Sequence, residues 1–408
     1  MSRGHTVLVH TGARFEQRAR RTGAGFAPLP EAADFDDRDL AARFPERGKL
    51  PAGGAQMAFD VMHLFGDVVP AQYQSLRRLV REFSADFVIN EMQFFGALPL
   101  SLDEQRQGHP VTITVGIQPP VFQSVDTAPF GAALLPLAGE PGRVRNRALE
   151  HQFQKAMTDL QQYLDAVFAK VGVRLEEILS NATASAPDHY LQLTVPGFEY
   201  PRSDAPESYR CIGAITPEPV PGFETPDWWA ELSGERPVVV VTQGTFGNQD
   251  LGTLLLPTLR ALDGAEVIVV AATARADGPE EVRAALGELP ANVRLGGFLP
   301  FDRLLPLADV LVTNGGYGGV HAALRHGVPL VVAGEGEDKP EVAARVEWSG
   351  AGLNLRSGRP GKAALREAVQ TVLSRPSYRT RARQLQAQFA EYDPLAAIAE
   401  LVGTAAAT

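Results

Sequence analysis

Residues Leu311–Val346 read LVTNGGYGGVHAALRHGVPLVVAGEGEDKPEVAARV. The apolar run PLADVLVT, ending at Thr313, reads as a buried strand. A glycine-rich turn follows, Asn314-Gly315-Gly316-Tyr317-Gly318-Gly319, and then a short helical pattern from Val320 to His326. Gly327 suits the C-cap of that helix. A second buried strand, Val328 to Ala333, leads into an acidic loop, Glu335-Gly336-Glu337-Asp338-Lys339. A glycine turn at the carboxyl end of a strand exposes backbone N–H groups at a helix N-terminus. Those donors, with the helix dipole, favour a phosphate. The next strand ends one βα unit later, so its loop lies on the same sheet edge and can reach the far end of the same ligand. A phosphate carrying a hydroxyl-rich group is the ligand this layout implies. In the plainer reading the glycines only permit close helix–strand packing, which leaves the acidic loop unexplained.

Outward from this stretch, the chain alternates strand and helix. Upstream, Pro237 to Thr242 (PVVVVT) is a strong strand that ends in another small-residue turn, Gln243-Gly244-Thr245-Phe246-Gly247, before a helix over Leu251–Leu262. Strands at Glu266–Ala271 and Val293–Leu295 continue the pattern, and Pro376–Val402 is helical apart from Asp393-Pro394. In the first half, strands are expected at Thr6–Thr11, Gly23–Leu29, Asp86–Glu91 and Val111–Val115, with further short strands over 188–215. Helices are expected at Phe15–Arg21, Met57–Phe83 and Ala97–Gly108, and a long loop at Glu31–Gly54. Such alternation signals a parallel, doubly wound α/β sheet. Residues 128–185 differ: from Val144 to Leu179 apolar and charged residues mix at helical spacing, which predicts a helical excursion. Thr216–Pro226 holds four prolines in eleven residues and reads as a stiff, extended linker, with a short helix opening at Trp228-Trp229. The expected domains are 1–215, a linker 216–235, 236–385, and a C-terminal helix 386–408 packing back on the first domain. A cleft between two such domains is the expected ligand site.

Composition bounds the function. A net charge of −10 argues against a nucleic-acid surface. The one cysteine, Cys211, excludes intrachain disulfides and cysteine-based zinc clusters. No apolar run approaches the roughly 20 residues that span a bilayer. The N-terminus does not read as a signal peptide, so a soluble cytoplasmic protein is expected and the sequon Asn181-Ala182-Thr183 is read as chance.

The second half resembles the GT-B fold nucleotide-sugar-dependent glycosyltransferases, closest to the bacterial macrolide and antibiotic type. The family pattern H-x-G-x-G-T, G-V-P, D/E-Q stands here as Asn314–Gly319, Gly327-Val328-Pro329 and Glu337-Asp338-Lys339. Gly297-Phe298-Leu299-Pro300 and Gln243-Gly244-Thr245 also match. The resemblance extends weakly through the first half. It implies two Rossmann-like domains, a uridine or thymidine diphosphate sugar as co-substrate, a hydrophobic small-molecule acceptor, and neither metal nor other cofactor. By the same resemblance, Phe298 and Leu299 flank the nucleobase. The backbone of Gly315-Gly316 and Gly318-Gly319 cradles the diphosphate. Gly244 and Thr245 approach it from the neighbouring turn, and Glu337 and Asp338 bind sugar hydroxyls.

Three positions depart from the pattern. The phosphate-binding His is Asn314, the Thr or Ser is Gly319, and the sugar-contacting Gln is Lys339, which by itself reads as solvated. Each change alters a hydrogen bond typically worth about 0.5–1.5 kcal/mol. The family's first strand and its catalytic His have no counterpart here, so the true start is expected upstream of Met1. Glu91 stands where the family has the Asp that orients that His, and is the candidate orienting group or substitute base. His10 ends a strand near the cleft and is a weaker candidate; His321 and His326 read as structural. The leading expectation is an inverting hexosyltransferase whose acceptor lies near 128–185. The alternative is a non-catalytic nucleotide-sugar-binding protein, favoured by the altered residues. An epimerase of the same fold would need more titratable groups in the cleft.

Overall fold

The computed structural model describes residues 4–36, 40–51, 53–103, 109–215, 222–245 and 247–405. Twelve strands form three parallel sheets among these residues. β1 (Leu8–Thr11) pairs with β2 (Gly25–Pro28). β3 (Phe87–Glu91), β4 (Val111–Gly116), β5 (His189–Gln192) and β6 (Tyr209–Cys211) form a second sheet in that order. The third comprises β7 (Val238–Thr242), β8 (Ile268–Ala272), β9 (Val293–Gly296), β10 (Val310–Thr313), β11 (Leu330–Val332) and β12 (Gly352–Asn354), in the order β12-β11-β10-β7-β8-β9.

That third order follows from the sequence. Val238, Val239, Val240 and Val241 are all at most 1% exposed. A strand covered on both faces selects an unbroken β-branched run, and each face has its own apolar cluster. From β7 the sheet grows one way through β8 and β9. It then restarts on the other side with β10, β11 and β12. The order therefore reverses between β7 and β10, where open α/β sheets form a crevice at the strand carboxyl ends. The register is flush: Thr313 lies opposite both Thr242 and Val332, and Thr242 opposite Ala272. The turns after β7, β10 and β11 thus emerge side by side.

The excursion is helical as expected, with helices Gly139–Ala156, Thr158–Ala169 and Leu179–Ser185. The helix expected over 57–83 is broken. It runs as Gly54–Phe59, a π-helical stretch Asp60–Gly66, and Val69–Phe83 with proline in its first turn. A Cβ at Gly66 would stand 2.9 Å from the Val61 carbonyl oxygen and 3.1 Å from Leu164, so the break lets the Thr158 helix approach. The 31–54 segment, expected as loop, carries short helices at Leu40–Arg43 and Arg47–Lys49. The helix expected over 97–108 runs from Leu98 to Leu102; residues 104–108 lie outside the described part. Residues 216–221 of the expected linker also lie outside it. The linker was expected to stay unpacked, but Phe223 packs on the second core and Trp229, in the 3-10 helix Asp227–Ser233, is buried there. Helix Pro376–Ala390 contributes Ala382, Leu385 and Phe389 to the same core. In helix Pro394–Ala405, Ala397, Ile398, Leu401 and Val402 cover Ile113 of β4, Leu191 of β5 and Ile212, the residue after β6.

Candidate active site

The two turns at the β7/β10 fork are built around buried side chains. Gln243 is 1% exposed. Its Oε1 accepts from the amides of Leu254 and Leu255 at 3.3 and 2.9 Å, and its Nε2 donates to the Asp250 carbonyl at 3.0 Å. This holds the loop off the sheet and delays the next helix to Leu255–Ala261, rather than the expected 251–262. Asn314 Nδ2 donates to the Gln243 carbonyl at 2.6 Å and ties the two turns together. Thr242 and Thr313, at the two strand ends, accept from the amides of Gly244 and Gly315. Thr245 is exposed beside them, and Phe246 lies outside the described residues.

The helix after β10 starts at Tyr317, not at Val320 as expected, and ends at Arg325. Gly318 and Gly319 therefore belong to its first turn, not to the preceding loop. Gly316 is the N-cap and no side chain caps the helix. The first-turn N–H groups have no intrahelical partner. A Cβ at Gly316, Gly318 or Gly319 would meet nothing within 4 Å, so this helix end faces open space. Gly315 is needed for another reason: its φ is +89° and a Cβ would stand 2.7 Å from Val332 Cγ1. Gly334 lets the β11 loop press against this turn, since its Cβ would fall 1.9 Å from the Asn314 carbonyl oxygen.

The acidic loop turns through left-handed backbone at Gly336 and Glu337, with φ of +79° and +51°. Asp338 is the N-cap of helix Lys339–Ser349. Burial raises its carboxyl to about 6, against the lowering effect of Lys339. Lys339 is not solvated, as its sequence context suggested. The residue is buried, and its ammonium pairs with the Glu337 carboxylate. Phe298 and Leu299, expected as a pair, separate. Phe298 is 61% exposed beyond the end of β9, whereas Leu299 fills the space over Gly296 and packs on the core. Only Phe298 offers an open face.

In the first half, Glu91 ends β3. Its Oε2 is buried with no partner among the described residues. Burial raises the carboxyl to about 7, although the amides of Gln93 and Phe94 pull the other way. His10 lies near the end of β1. Its Nδ1 is 3.0 Å from the Ala27 carbonyl, which can only accept, so Nδ1 carries the proton and the buried Nε2 keeps a bare lone pair. Burial lowers its pKa. His321 is structural: it is 2% exposed and its Nε2 meets Thr194 Oγ1 at 2.9 Å. His326 is half-buried.

Sequence reasoning missed a buried polar network that joins the two halves. Tyr317 Oη donates to Glu199 Oε1 at 2.6 Å and receives Gln192 Nε2 at 3.1 Å. Arg345 bridges Glu199 at 2.7 Å and Glu341 at 2.9 Å. Glu341 in turn accepts from the amides of Gly131 and Ala133 at 2.8 and 2.7 Å. The spacing of Glu341 and Arg345, one helical turn apart, was the available signal. Glu199, set between Phe198 and Tyr200, carried none.

Comparisons with known proteins agree with this architecture. Residues 253–403 match the family described as Erythromycin biosynthesis protein CIII-like, C-terminal domain. The 4'-demethylrebeccamycin synthase of Lentzea aerocolonigenes is 42% identical over 98% of this chain and 93% of its own length. UDP-glycosyltransferase 2 of Phaeomoniella chlamydospora is 37% identical over 99% of this chain and 90% of its own. Among solved structures, the calicheamicin glycosyltransferase CalG4 superposes with a TM-score of 0.70 at 18% identity, covering 99% of this chain and 91% of that one. The glycosyltransferase VinC, solved in complex with dTDP, gives 0.66 at 21% identity, covering 100% of this chain and 94% of that one. These two likenesses concern the fold; the sequence relatives carry the family. With whole-length relatives at such identity and this crevice at its sheet reversal, the chain belongs to the GT-B fold nucleotide-sugar-dependent glycosyltransferases of the UDP-glycosyltransferase superfamily.

Proposed function

We propose that the chain moves a hexose from a uridine or thymidine diphosphate sugar to a hydroxyl of a hydrophobic natural product, with inversion. The observation that carries this is the uncapped helix end at Gly316–Gly319, open to space at the sheet reversal and flanked by Glu337, Asp338 and Lys339. In this reading the diphosphate lies on the first-turn amides of the Tyr317 helix, the nucleobase lies against Phe298, and Glu337 and Asp338 face the sugar hydroxyls. The acceptor lies along the loop after β4, which carries the exposed apolar residues Ile117, Leu134 and Leu137. Gly131 and Ala133 anchor that loop to Glu341, two residues beyond Lys339.

Glu91 is proposed as the base. A carboxylate raised to about 7 divides between its two forms at neutral pH, which suits proton acceptance from a hydroxyl. The acceptor oxygen then attacks the anomeric carbon on the face opposite the diphosphate. The anomeric C–O bond breaks and its electron pair passes to the β-phosphate oxygen, whose growing charge the helix N–H groups stabilise. A transfer assay with UDP-glucose and dTDP sugars against aromatic and polyketide alcohols tests this. The expected result is a glycoside of inverted anomeric configuration plus UDP or dTDP. Tight nucleoside diphosphate binding without turnover on any acceptor would favour the non-catalytic alternative.

A further inference from the structure

Lys339 stands in an unusual place for a lysine. It is the first residue of its helix and only 8% exposed. Its stem runs through the groove left by two glycines: a Cβ at Gly334 would lie 3.2 Å from Lys339 Cβ, and one at Gly315 would lie 3.9 Å from it. The ammonium emerges at the floor of the fork. A Cβ at Gly247 would lie 3.8 Å from Lys339 Nζ and 3.7 Å from Asn314 Nδ2, so the two groups flank one point between the β7 and β10 turns. Asn314 carries no charge, and its amide is already committed to the Gln243 carbonyl. Lys339 therefore places a cation beside the open helix end, and its partner Glu337 also attracts Arg47 of the first half.

Its partner there is Glu337, a weak holder. The Glu337 side chain is 39% exposed, sits on left-handed backbone, and is two residues away in the same loop. Only the carboxylate end of the pair is solvated, so Glu337 can turn to water while the Lys339 ammonium stays largely buried and in need of a counter-charge. A diphosphate brings more charge, and an ammonium meets phosphate oxygens as a compact point charge with three rotatable donors.

We propose that the Glu337–Lys339 ion pair is a placeholder that the donor splits: Lys339 moves onto the terminal phosphate of the nucleotide, and the freed Glu337 carboxylate turns to the sugar hydroxyls. This rests on the glycosyltransferase reading above and gives Lys339 a role in binding and leaving-group stabilisation. It also explains how the site works with asparagine at position 314. Losing Glu337 alone would leave a mostly buried ammonium without a counter-charge, so the exchange is favourable only for a ligand that supplies a replacement negative charge there, as the second phosphate does.

Calorimetry with UDP and UMP on the wild type, Lys339→Met, Lys339→Arg and Glu337→Gln tests it. Lys339→Met is expected to weaken UDP by about 10- to 100-fold, the range for one charge-assisted hydrogen bond, and to leave UMP nearly unchanged. Lys339→Arg should keep most of the UDP affinity. Glu337→Gln should bind UDP as tightly as the wild type or more tightly, because it removes the competing carboxylate. If Lys339→Met leaves UDP binding intact, or weakens UDP and UMP by the same factor, the proposal is overturned and the lysine is a structural prop. Glu337→Gln weakening UDP as much as Lys339→Met overturns it equally. A wild type that binds neither UDP nor dTDP would instead sink the glycosyltransferase reading, and this inference with it.

Discussion

Replacing Arg345 with Met should uncouple the two halves of the molecule. The Arg345 side chain is 1% exposed, Glu199 is 3% and Glu341 is 7%. Its guanidinium also lies 4.3 Å from the centre of the Tyr200 ring. Methionine fills much of the stem's volume but leaves two carboxylates without their shared cation. Glu341 retains the Gly131 and Ala133 amides, so the larger loss falls on Glu199. Breaking one partner of a buried pair typically costs about 3–5 kcal/mol, a large share of the roughly 5–15 kcal/mol that holds a domain folded. Urea unfolding followed by circular dichroism should therefore show a midpoint well below that of the wild type. Trp348, edge-on to Tyr200 at 5.3 Å, reports the interface itself, and its emission should change at lower urea than the circular dichroism. Adding Glu199→Gln to Arg345→Met should recover part of the loss by removing the stranded charge. The acid side follows with a definite sign. Burial raises the Glu199 carboxyl, but Arg345 and Tyr317 outweigh it and the net shift is downward from 4.5. A lowered carboxylate stabilises above its unfolded value, and that stability is lost as the pH falls through the folded one. Wild type should thus lose stability below about pH 4.5 more steeply than Glu199→Gln. An Arg345→Met protein within about 1 kcal/mol of the wild type, with coincident transitions, would refute the reasoning.

Glu91→Gln should lower kcat by about 10²- to 10⁴-fold if Glu91 accepts the acceptor proton, and wild-type kcat/KM should fall as the pH drops through about 7. The same raised carboxyl makes the folded state hold a proton more tightly. Wild-type stability should therefore decline as the pH rises from about 4.5 to 7, and urea midpoints of Glu91→Gln should lack that decline. Gly315, before the Tyr317 helix, and Gly318, inside it, should behave oppositely. Gly315→Ala, at φ +89° and 2.7 Å from Val332 Cγ1, should destabilise by about 1–3 kcal/mol on urea unfolding. Gly318→Ala meets open space within a helix and should stabilise by up to about 1 kcal/mol, yet weaken UDP in calorimetry because its methyl enters the proposed phosphate space. Phe298→Ala should leave stability unchanged, the ring being 61% exposed, and weaken UDP roughly 3- to 10-fold through lost stacking.

The strands of the third sheet were legible because full burial on both faces leaves an unbroken apolar run, as in Val238–Val241. The turn glycines were legible because a fork of this kind needs residues without Cβ. The start of the Tyr317 helix was not, since glycines at 318 and 319 carry the weakest helix propensity short of proline and mask the first turn. Leu299 and Phe298 looked alike in sequence; only the Gly296 void separates a core residue from an exposed one. Lys339 was misread for a similar reason. A lysine between acidic residues and a proline reads as solvated, and the groove that buries its stem is made by Gly315 and Gly334, glycines that in sequence read only as turn formers.

The buried network changes what positions the crevice. From sequence, a stiff, extended proline-rich linker was the one connection expected between the domains. In the structure, the same two helices whose N-termini face the fork are bolted to the first half by their own side chains. Tyr317 is the first residue of one and Lys339 of the other; Tyr317 bonds Glu199, and Glu341 and Arg345 lie within two turns of Lys339. Gln192 ends β5 and Thr194 and Glu199 follow it, so one strand end receives both helices. The partners lie 118 to 146 residues apart, too far for any local pattern to pair them. A shift at Glu199 must therefore move the helix end proposed to hold the diphosphate and the loop bearing Lys339 together. This is why substitutions at Arg345, remote from the reacting atoms, should raise the donor KM as well as lower stability.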